Sequence, residues 1–485
     1  MRVQTTGFSR RRLFAAALSG AAAALVACGP LPVPGADQST PAAKPAASTG
    51  GGASPAPAAQ PAQGAAGGAT VRLMTHFNRD GKTPRELALK EITDRFEAEH
   101  AGIKVSFEVI PWPDIPAKFM AAHEAGNAPD MIYASFERRF LTQGSAMDLQ
   151  PRVNNWKKED FEDINQALWN QAVVDGKAYG LPQPFFSHTI VYRKDLFEGT
   201  GLETTKPTTW DKFIEAAKRA MRDAAGRKRG DAAFDIKTTK TWGFGHYKGR
   251  EKGGSVPIER TMLEFGDRVI KDDGTANWTV DSGIKSMAMW TSMMKEHQIQ
   301  PPSDLQASLD DSDNNFAGGV YGSYLVGNHR YGGMREHYTF PEENAGFIRM
   351  PTFKGDKYGP ANVQTRGLTL WSKSKVADQV WSYGEYMVNP WSDLKMAIGG
   401  ELIPIRKSVG ASSDFKNLPP KLAHLKLLAD ATADWGYSDP LSPVPYGPHV
   451  LLAYHRIVTE NVPVEKAMQD AAADYNKQVA ESRKK

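Results

Sequence analysis

From residue 70 onward, apolar positions recur in two rhythms that trade places along the chain. Val71-Arg72-Leu73-Met74 reads as an opening strand. Leu89, Ile92 and Phe96 then fall three and four apart over 84–100, one face of a helix with Pro84 in its first turn. Ala101-Gly102 stops that helix. Ile103, Val105, Phe107 and Val109 alternate with polar residues, the period of a half-buried strand. Strand, helix and strand in so short a stretch form a βαβ unit and predict a largely parallel sheet. The pattern continues with a helix over 116–125, strands at 130–134 and 189–192, and a helix over 209–221. In that last helix Thr209 is the expected N-cap, with Phe213, Ala216, Ala217 and Ala220 facing inward. Amphipathic helices are predicted at 282–296 and 376–388, and no short repeat suggests a solenoid.

The first 70 residues follow different rules. Arg2 and Arg10 to Arg12 precede an apolar run of small residues, Leu13 to Ala27, too short to span a bilayer. Residues 1–27 resemble a twin-arginine export signal, and Leu25-Val26-Ala27-Cys28 resembles a lipobox. The resemblance implies cleavage before Cys28 and lipid on its sulfur, hence an extracytoplasmic protein held at a bacterial cell membrane by its anchor alone. Residues 28–69 are Ala, Pro, Gly, Ser and Gln with few large side chains, a composition that cannot offset its ordering entropy. Such a tether reaches on the order of 35–40 Å.

Removing the signal changes the charge argument. The chain carries +4, and four arginines with no acids lie in 1–27, so the remainder is 4 − 4 = 0. That balance excludes a nucleic-acid partner driven by net charge. Cys28 is the only cysteine, so there is no disulfide framework. About 415 residues remain from position 70, more than one core usually serves, so two lobes are expected.

The order of several motifs is similar to that of the family 1 extracellular solute-binding proteins, the class that includes maltose-binding proteins of ABC importers. Phe96-Glu97-Ala98-Glu99-His100 leading into Gly102-Ile103-Lys104-Val105 resembles the family's start. Gly126-Asn127-Ala128-Pro129-Asp130-Met131-Ile132 resembles its "G-x-x-P-D" strand entry. Further on come Asp175-Gly176-Lys177-Ala178-Tyr179-Gly180-Leu181-Pro182, Tyr192-Arg193-Lys194-Asp195-Leu196-Phe197, Pro207-Thr208-Thr209-Trp210, the Phe316 to Gly319 segment and Ile403-Pro404. The resemblance implies an α/β fold: the two-lobed periplasmic-binding-protein fold (type II), with discontinuous lobes around a hinged cleft. Residues 70–184 plus 350–394 would form one lobe and 185–349 plus 395–485 the other. Pro182-Gln183-Pro184 would be a hinge segment. The implied protein is a monomer that binds a carbohydrate and hands it to membrane permease subunits, with no cofactor and no metal.

Sugar sites combine aromatic faces with hydroxyl-bonding polar groups, and they sit beyond strand ends. Phe77 and Asn78 follow the first strand. Tyr133, Phe136, Glu137 and Arg138 follow the strand at 130–134, with Glu137 and Arg138 where maltose-binding relatives carry a sugar-bonding acid and arginine. Phe185 and Phe186 mark the first crossover. His246 and Tyr247 follow a strand in which Trp242 and Phe244 are core. Asn328, His329 and Arg330 end another, and Arg366 lies in the "T-x-G" loop. Arg330 and Arg366 leave room for an acidic sugar or a phosphate ester. The remaining alternatives are a receptor for glycerol phosphate, a peptide or a polyamine, and a secreted hydrolase. Enzyme motifs fail: His123-Glu124 lacks the second histidine of a zincin, Gly322-Ser323 lacks nucleophile-elbow spacing, and no phosphate loop occurs.

Overall fold

The computed structural model describes residues 68–359, 361–364, 366–422, 424–425, 435–437 and 444–483. The expected signal, Cys28 and the tether up to residue 67 lie outside the described residues. Strands β1 (Ala69–Thr75), β2 (Ile103–Val109) and β3 (Met131–Ser135) come first. A short hairpin, β4 (Val173–Val174) and β5 (Lys177–Ala178), leads to β6 (Leu181–Pro182) and the long β7 (Phe186–Arg193). A ribbon of β8 (Arg222–Asp223) and β9 (Thr239–Thr241) follows. β10 (Ser323–Gly327), β11 (Ala345–Ile348), β12 (Ala361–Gln364), β13 (Arg366–Leu370) and β14 (Trp435–Tyr437) complete the strands among the described residues.

Two five-stranded sheets result. The first has the order β2-β1-β3-β13-β6. β1 runs parallel to β2 and β3, as the opening βαβ unit predicts; β13 is antiparallel to β3 and β6 antiparallel to β13, so β6 runs the same way as β1 to β3 and β13 alone is reversed. The second has the order β10-β7-β12-β14, with β11 also on β7, and only β12 with β14 is parallel. The first sheet therefore has β1, β2, β3 and β6 running one way with β13 inserted against them, and in the second sheet the parallel expectation fails for every pair but β12 with β14. The reason is directional: Arg366 pairs with Ser135, so β13 enters the sheet from the end where β3 leaves it.

Helix Pro84–Glu99 shows how local signals fix these elements. Thr83 and Glu86 form a capping box, worth about 1 kcal/mol, and Leu89, Ile92 and Phe96 are buried. In helix Trp210–Ala220, Thr209 caps the N-terminus by accepting the Lys212 N–H at 3.2 Å. Its four expected inward residues are all buried.

Two cores mark the lobes. Val71, Phe96, Met131, Leu181 and Leu370 share one with Met396, Ile403 and Ile405. Ile190, Trp210, Trp290, Leu325 and Tyr454 share the other. The chain leaves the first sheet after Pro182 and joins the second at Phe186, across the expected hinge. It returns between β12 and β13, not at residue 350, because Val363 and Gln364 still pair with Ser187 and Phe186. Residues just past 394 stay with the first lobe, because the apolar side of helix Pro390–Gly400 packs on helix Pro84–Glu99 and carries Met396 into that core. Among the described residues, no helix is long and apolar enough to cross a membrane.

Candidate functional site

The ends of β1, β2 and β3, the start of β13 and the start of β7 converge where the chain changes sheets. A cavity of about 290 Å3 lies there, at the small end of ligand sites. Phe186, His188, Val326, His329 and Arg330 line it from β7 and the end of β10, and Arg366 lines it from β13. Tyr247, Ser255, Glu259, Arg260 and Tyr446 close the opposite side. A larger cavity, about 430 Å3, lies beside Lys194, Arg335 and Pro420. Lys194 follows the far end of β7, on the order of 25 Å from Phe186 at about 3.3 Å per strand residue, so that cavity is remote from the crossovers.

Aromatic groups surround the basic ones. The Phe186 ring lies 4.2 Å from His329 and 5.7 Å from His188. The Arg366 guanidinium sits 4.3 Å over Trp112 and 5.3 Å over Phe186. Trp112 follows the end of β2, and His76 meets it edge-on at 4.9 Å. Burial, then the nearby Arg366 and Arg85 charges, push the His76 imidazole down to about 3. His329 is held well below its ordinary value by burial and then by Arg366, Arg85 and Arg330. His188 is lowered the same way, with Arg260 as its main charged neighbour. The imidazoles are therefore neutral at pH 7. The Nδ1 atoms of His76, His188 and His329 are buried without a hydrogen-bond partner. Burial also brings Arg366 down to about 10.

The sequence-chosen residues divide. Phe186, Tyr247, His329, Arg330 and Arg366 line the cavity. The others whose side chains are described are placed elsewhere, each for a physical reason. Phe77 is buried in the first core, edge-on to Tyr133 at 5.3 Å and beneath Arg85. Tyr133 is 1 % exposed in the same core. Asn78 shapes a turn, its Oδ1 accepting the Asp80 N–H at 3.0 Å. Phe136 is buried against Gly180 and Gly367, where a Cβ on either would collide with its ring. Glu137 accepts from Arg139 Nε at 2.6 Å rather than facing the cavity. The Arg138 side chain lies outside what is described. Phe185 is fully buried and its backbone exchanges hydrogen bonds with Ile403. His246 is 1 % exposed behind Tyr247, with Phe244 in the core as expected. Asn328 is fully buried: its Oδ1 accepts the Ser187 N–H at 2.8 Å and its Nδ2 donates to the Glu401 carbonyl.

Trp112, His76, Glu259, Arg260 and Tyr446 were not singled out. Trp112 could have been, because Pro111-Trp112-Pro113 follows a strand end as Phe77 does. Nothing in the local pattern marks Arg260, which sits in the six-residue helix Ile258–Leu263.

The family profile described as "Bacterial extracellular solute-binding protein" matches residues 79–390, well over half of the chain. The chain belongs to that family. It is a family of binding proteins, not enzymes. This solute-binding protein is 25 % identical over 345 residues to a binding protein of Brucella abortus (strain 2308), covering 70 % of this chain and 78 % of that one. Its fold matches that of the sugar-binding protein MalE from Xanthomonas citri, with a TM-score of 0.69, 21 % identity and coverage of 86 % and 98 % of the two chains. It also matches the GacH receptor of Streptomyces glaucescens GLA.O, with a TM-score of 0.67, 16 % identity and coverage of 85 % and 98 %. These structures share the two-lobed architecture described above.

Proposed function

We propose that this solute-binding protein captures a carbohydrate in the cavity between its lobes and delivers it to the permease of an ABC importer. The observation that carries this reading is the cavity's make-up. Phe186, Tyr247 and Tyr446 offer aromatic surface, and His188, His329, Arg260 and Arg366 offer polar groups around the same space. Ring faces suit the C–H faces of a pyranose, and convergent donors suit its hydroxyls. The curated relatives support the class: a segment of 122 residues is 27 % identical to the arabinooligosaccharide-binding protein of Halalkalibacterium halodurans, covering 24 % of this chain and 27 % of that one.

The lobes close on the ligand by bending at 183–185, with the 70–184 body and the 185–349 body moving as units. On this reading the receptor is exported by the twin-arginine route, carries lipid on Cys28, and stays as a monomer near its permease through the segment that follows. Capture in the micromolar range, about 8 kcal/mol, is enough for transport.

The test is a thermal-shift and calorimetric screen of the full-length protein against mono- and oligosaccharides, amines and peptides, with chromatography of the sugar afterwards. A tight ligand at a thousandfold excess over its Kd raises stability by about 4 kcal/mol. Saturable binding of a sugar that is recovered intact is the expected result. A shift by an amine or peptide alone, or conversion of the sugar, overturns the reading.

A further inference from the structure

Charge is spread unevenly along the chain. Residues 218–240 hold eight Lys and Arg against three Asp, a surplus of 8 − 3 = +5. From Cys28 on the sequence is neutral, so all the rest of it carries 0 − 5 = −5. Like charges this close together repel one another, and an opposite surface relieves that repulsion. The segment folds as one small knot. β8 pairs with β9 through Arg222 and Thr241. Buried Asp223 gathers the turns, accepting from Arg227 Nε at 2.6 Å and from the Asp235 N–H at 3.3 Å. Asp231 and Asp235 each accept a backbone N–H, that of Lys228 at 2.8 Å and that of Lys237 at 3.0 Å. Arg222 and Arg229 donate to backbone carbonyls, which satisfies their N–H groups and leaves their charge. Lys218 pairs with Glu215 and Arg227 with Asp223, whereas Lys228, Lys237 and Lys240 are exposed and form no ion pair among the described residues.

The knot stands at the end of the second lobe remote from the cavity. Trp242 and Gly245 run parallel to Tyr321 and Tyr324, and that stretch ends at cavity-lining Tyr247. Thr241 therefore lies on the order of 20 Å back from the cavity, at about 3.3 Å per residue. The first lobe has the same polarity. β1 runs from Ala69 toward His76, whose ring meets Trp112 beneath cavity-lining Arg366. The chain thus enters the folded body at the end of the first lobe that faces away from the cavity. Attachment through the N-terminus alone holds that lobe and leaves the second lobe unheld.

We propose, resting on the lipid-anchor reading, that the 218–240 knot is a second membrane contact, settling on anionic lipid headgroups while the N-terminal segment holds the first lobe. Lysines at the surface of the knot reach headgroup phosphates within a Debye length, about 10 Å at 0.1 M salt. The contact is weak for a free protein. Attachment at Cys28 keeps the knot at high local concentration beside the bilayer, which turns a weak contact into a populated one. The contact therefore ends when the anchor is lost. Because the knot is remote from Tyr247, it touches the surface without covering the cavity.

Cys28 is the only thiol, so the full-length protein can be coupled through it to maleimide lipid in vesicles. The vesicles are phosphatidylcholine alone or phosphatidylcholine mixed equally with phosphatidylglycerol. Lysine acylation read by mass spectrometry then reports which side chains the surface covers. At about 0.1 M salt, labelling of Lys228, Lys237 and Lys240 is expected to be about threefold lower or more on the anionic vesicles, and to recover at about 1 M salt. In the double variant Lys237→Glu with Lys240→Glu, labelling of Lys228 should be the same on both vesicle types. Equal labelling of the wild type on the two surfaces overturns the proposal. Protection that persists at high salt or in the double variant also overturns it. Protection by polyglutamate in solution, with none on anionic vesicles, overturns it in favour of an acidic protein partner. The coupling is chemical, so none of these outcomes bears on whether the cell lipidates Cys28 or on which sugar binds.

Discussion

The Arg366 guanidinium rests 4.3 Å over the Trp112 ring, joining the start of β13 to the segment that follows β2. The contact is a positioning device: the indole helps set the plane of the guanidinium at the cavity wall. A cation–π contact of this kind contributes about 0.5–2 kcal/mol. Trp112→Ala should therefore weaken ligand binding by roughly 2- to 30-fold, with Trp112→Phe close to wild type. Calorimetry with the sugar found in the screen reads this, and thermal unfolding without ligand should move little. Undiminished affinity in Trp112→Ala would remove the positioning role.

Asn328 was expected to meet ligand, and it is instead a strut between lobes. It ties the Ser187 N–H at the start of β7 to the Glu401 carbonyl beyond helix Pro390–Gly400. Asn328→Ala leaves a buried donor and a buried acceptor without partners, each worth about 1–3 kcal/mol. Urea unfolding should show a loss of roughly 2–5 kcal/mol, the sum of two such groups after partial relaxation. Asn328→Asp keeps the acceptor for Ser187 but loses the donor, so it should fall between. A loss below 1 kcal/mol in the alanine variant would mean that water replaces the amide.

Glu401 joins the lobes a second time. Its carboxylate takes both Arg335 Nη1, at 3.1 Å, and Arg335 Nη2, and the two side chains are 13 % and 14 % exposed. Without Glu401 the guanidinium keeps Glu342 at 3.3 Å and the Lys421 carbonyl, so the loss stays below the roughly 3–5 kcal/mol of a charge stranded outright. Glu401→Gln should destabilise by about 1–3 kcal/mol, while the double change Glu401→Gln with Arg335→Met should recover part of the loss. The coupling from the four-variant cycle is the measurement; additive losses would show that the pair does not act as a unit.

Periodicity found the elements because each rests on a local rule. Helix Pro84–Glu99, strand Ile103–Val109 and helix Trp210–Ala220 match their expected bounds within a residue or two. Strand direction was harder. β13 returns from the other lobe, and its orientation depends on where the chain crosses, which no local pattern records. The same limit governs the site. Motif order brought Phe186, Tyr247, His329, Arg330 and Arg366 to the cavity. It could not separate them from Phe77, Tyr133 and Phe136, because an aromatic after a strand end can turn into the core or into the cleft. Arg260 was missed because nothing in its short helix marks it as facing the cavity, which only three dimensions reveal.

Cys28 offers a prediction independent of the cleft. The proposed lipid on Cys28 would hold the protein at the membrane through acyl chains, each buried methylene contributing about 0.8 kcal/mol. Cys28→Ser should move the protein from the membrane fraction to the soluble fraction, with the sugar affinity of the released protein unchanged. Fractionation and immunoblotting read the first part. Retention in the membrane pellet would end the anchor reading.

His246 makes the pH behaviour testable one group at a time. Its imidazole is 1 % exposed, and both ring nitrogens lack hydrogen-bond partners. Burial, followed by the charges of Lys248 and Arg260, keeps it well below the ordinary histidine value. The folded form thus stays neutral while the unfolded chain takes a proton below about pH 6.5. Protons bound only by the unfolded chain lower stability as pH falls. For one such site the loss reaches about 2 kcal/mol at pH 5. Asp304 and Asp393 pull the other way in this window, because burial lifts each to about 7 and the folded form gains their protons first. The net slope of the whole protein therefore mixes opposing groups, and the informative quantity is a difference between variants. His246→Gln removes the titration while keeping a polar side chain of similar size. Between pH 7.5 and pH 5, urea unfolding of this variant should lose about 2 kcal/mol less stability than the wild type. Equal losses in the two proteins would mean that the imidazole takes its proton in the fold as readily as in the unfolded chain.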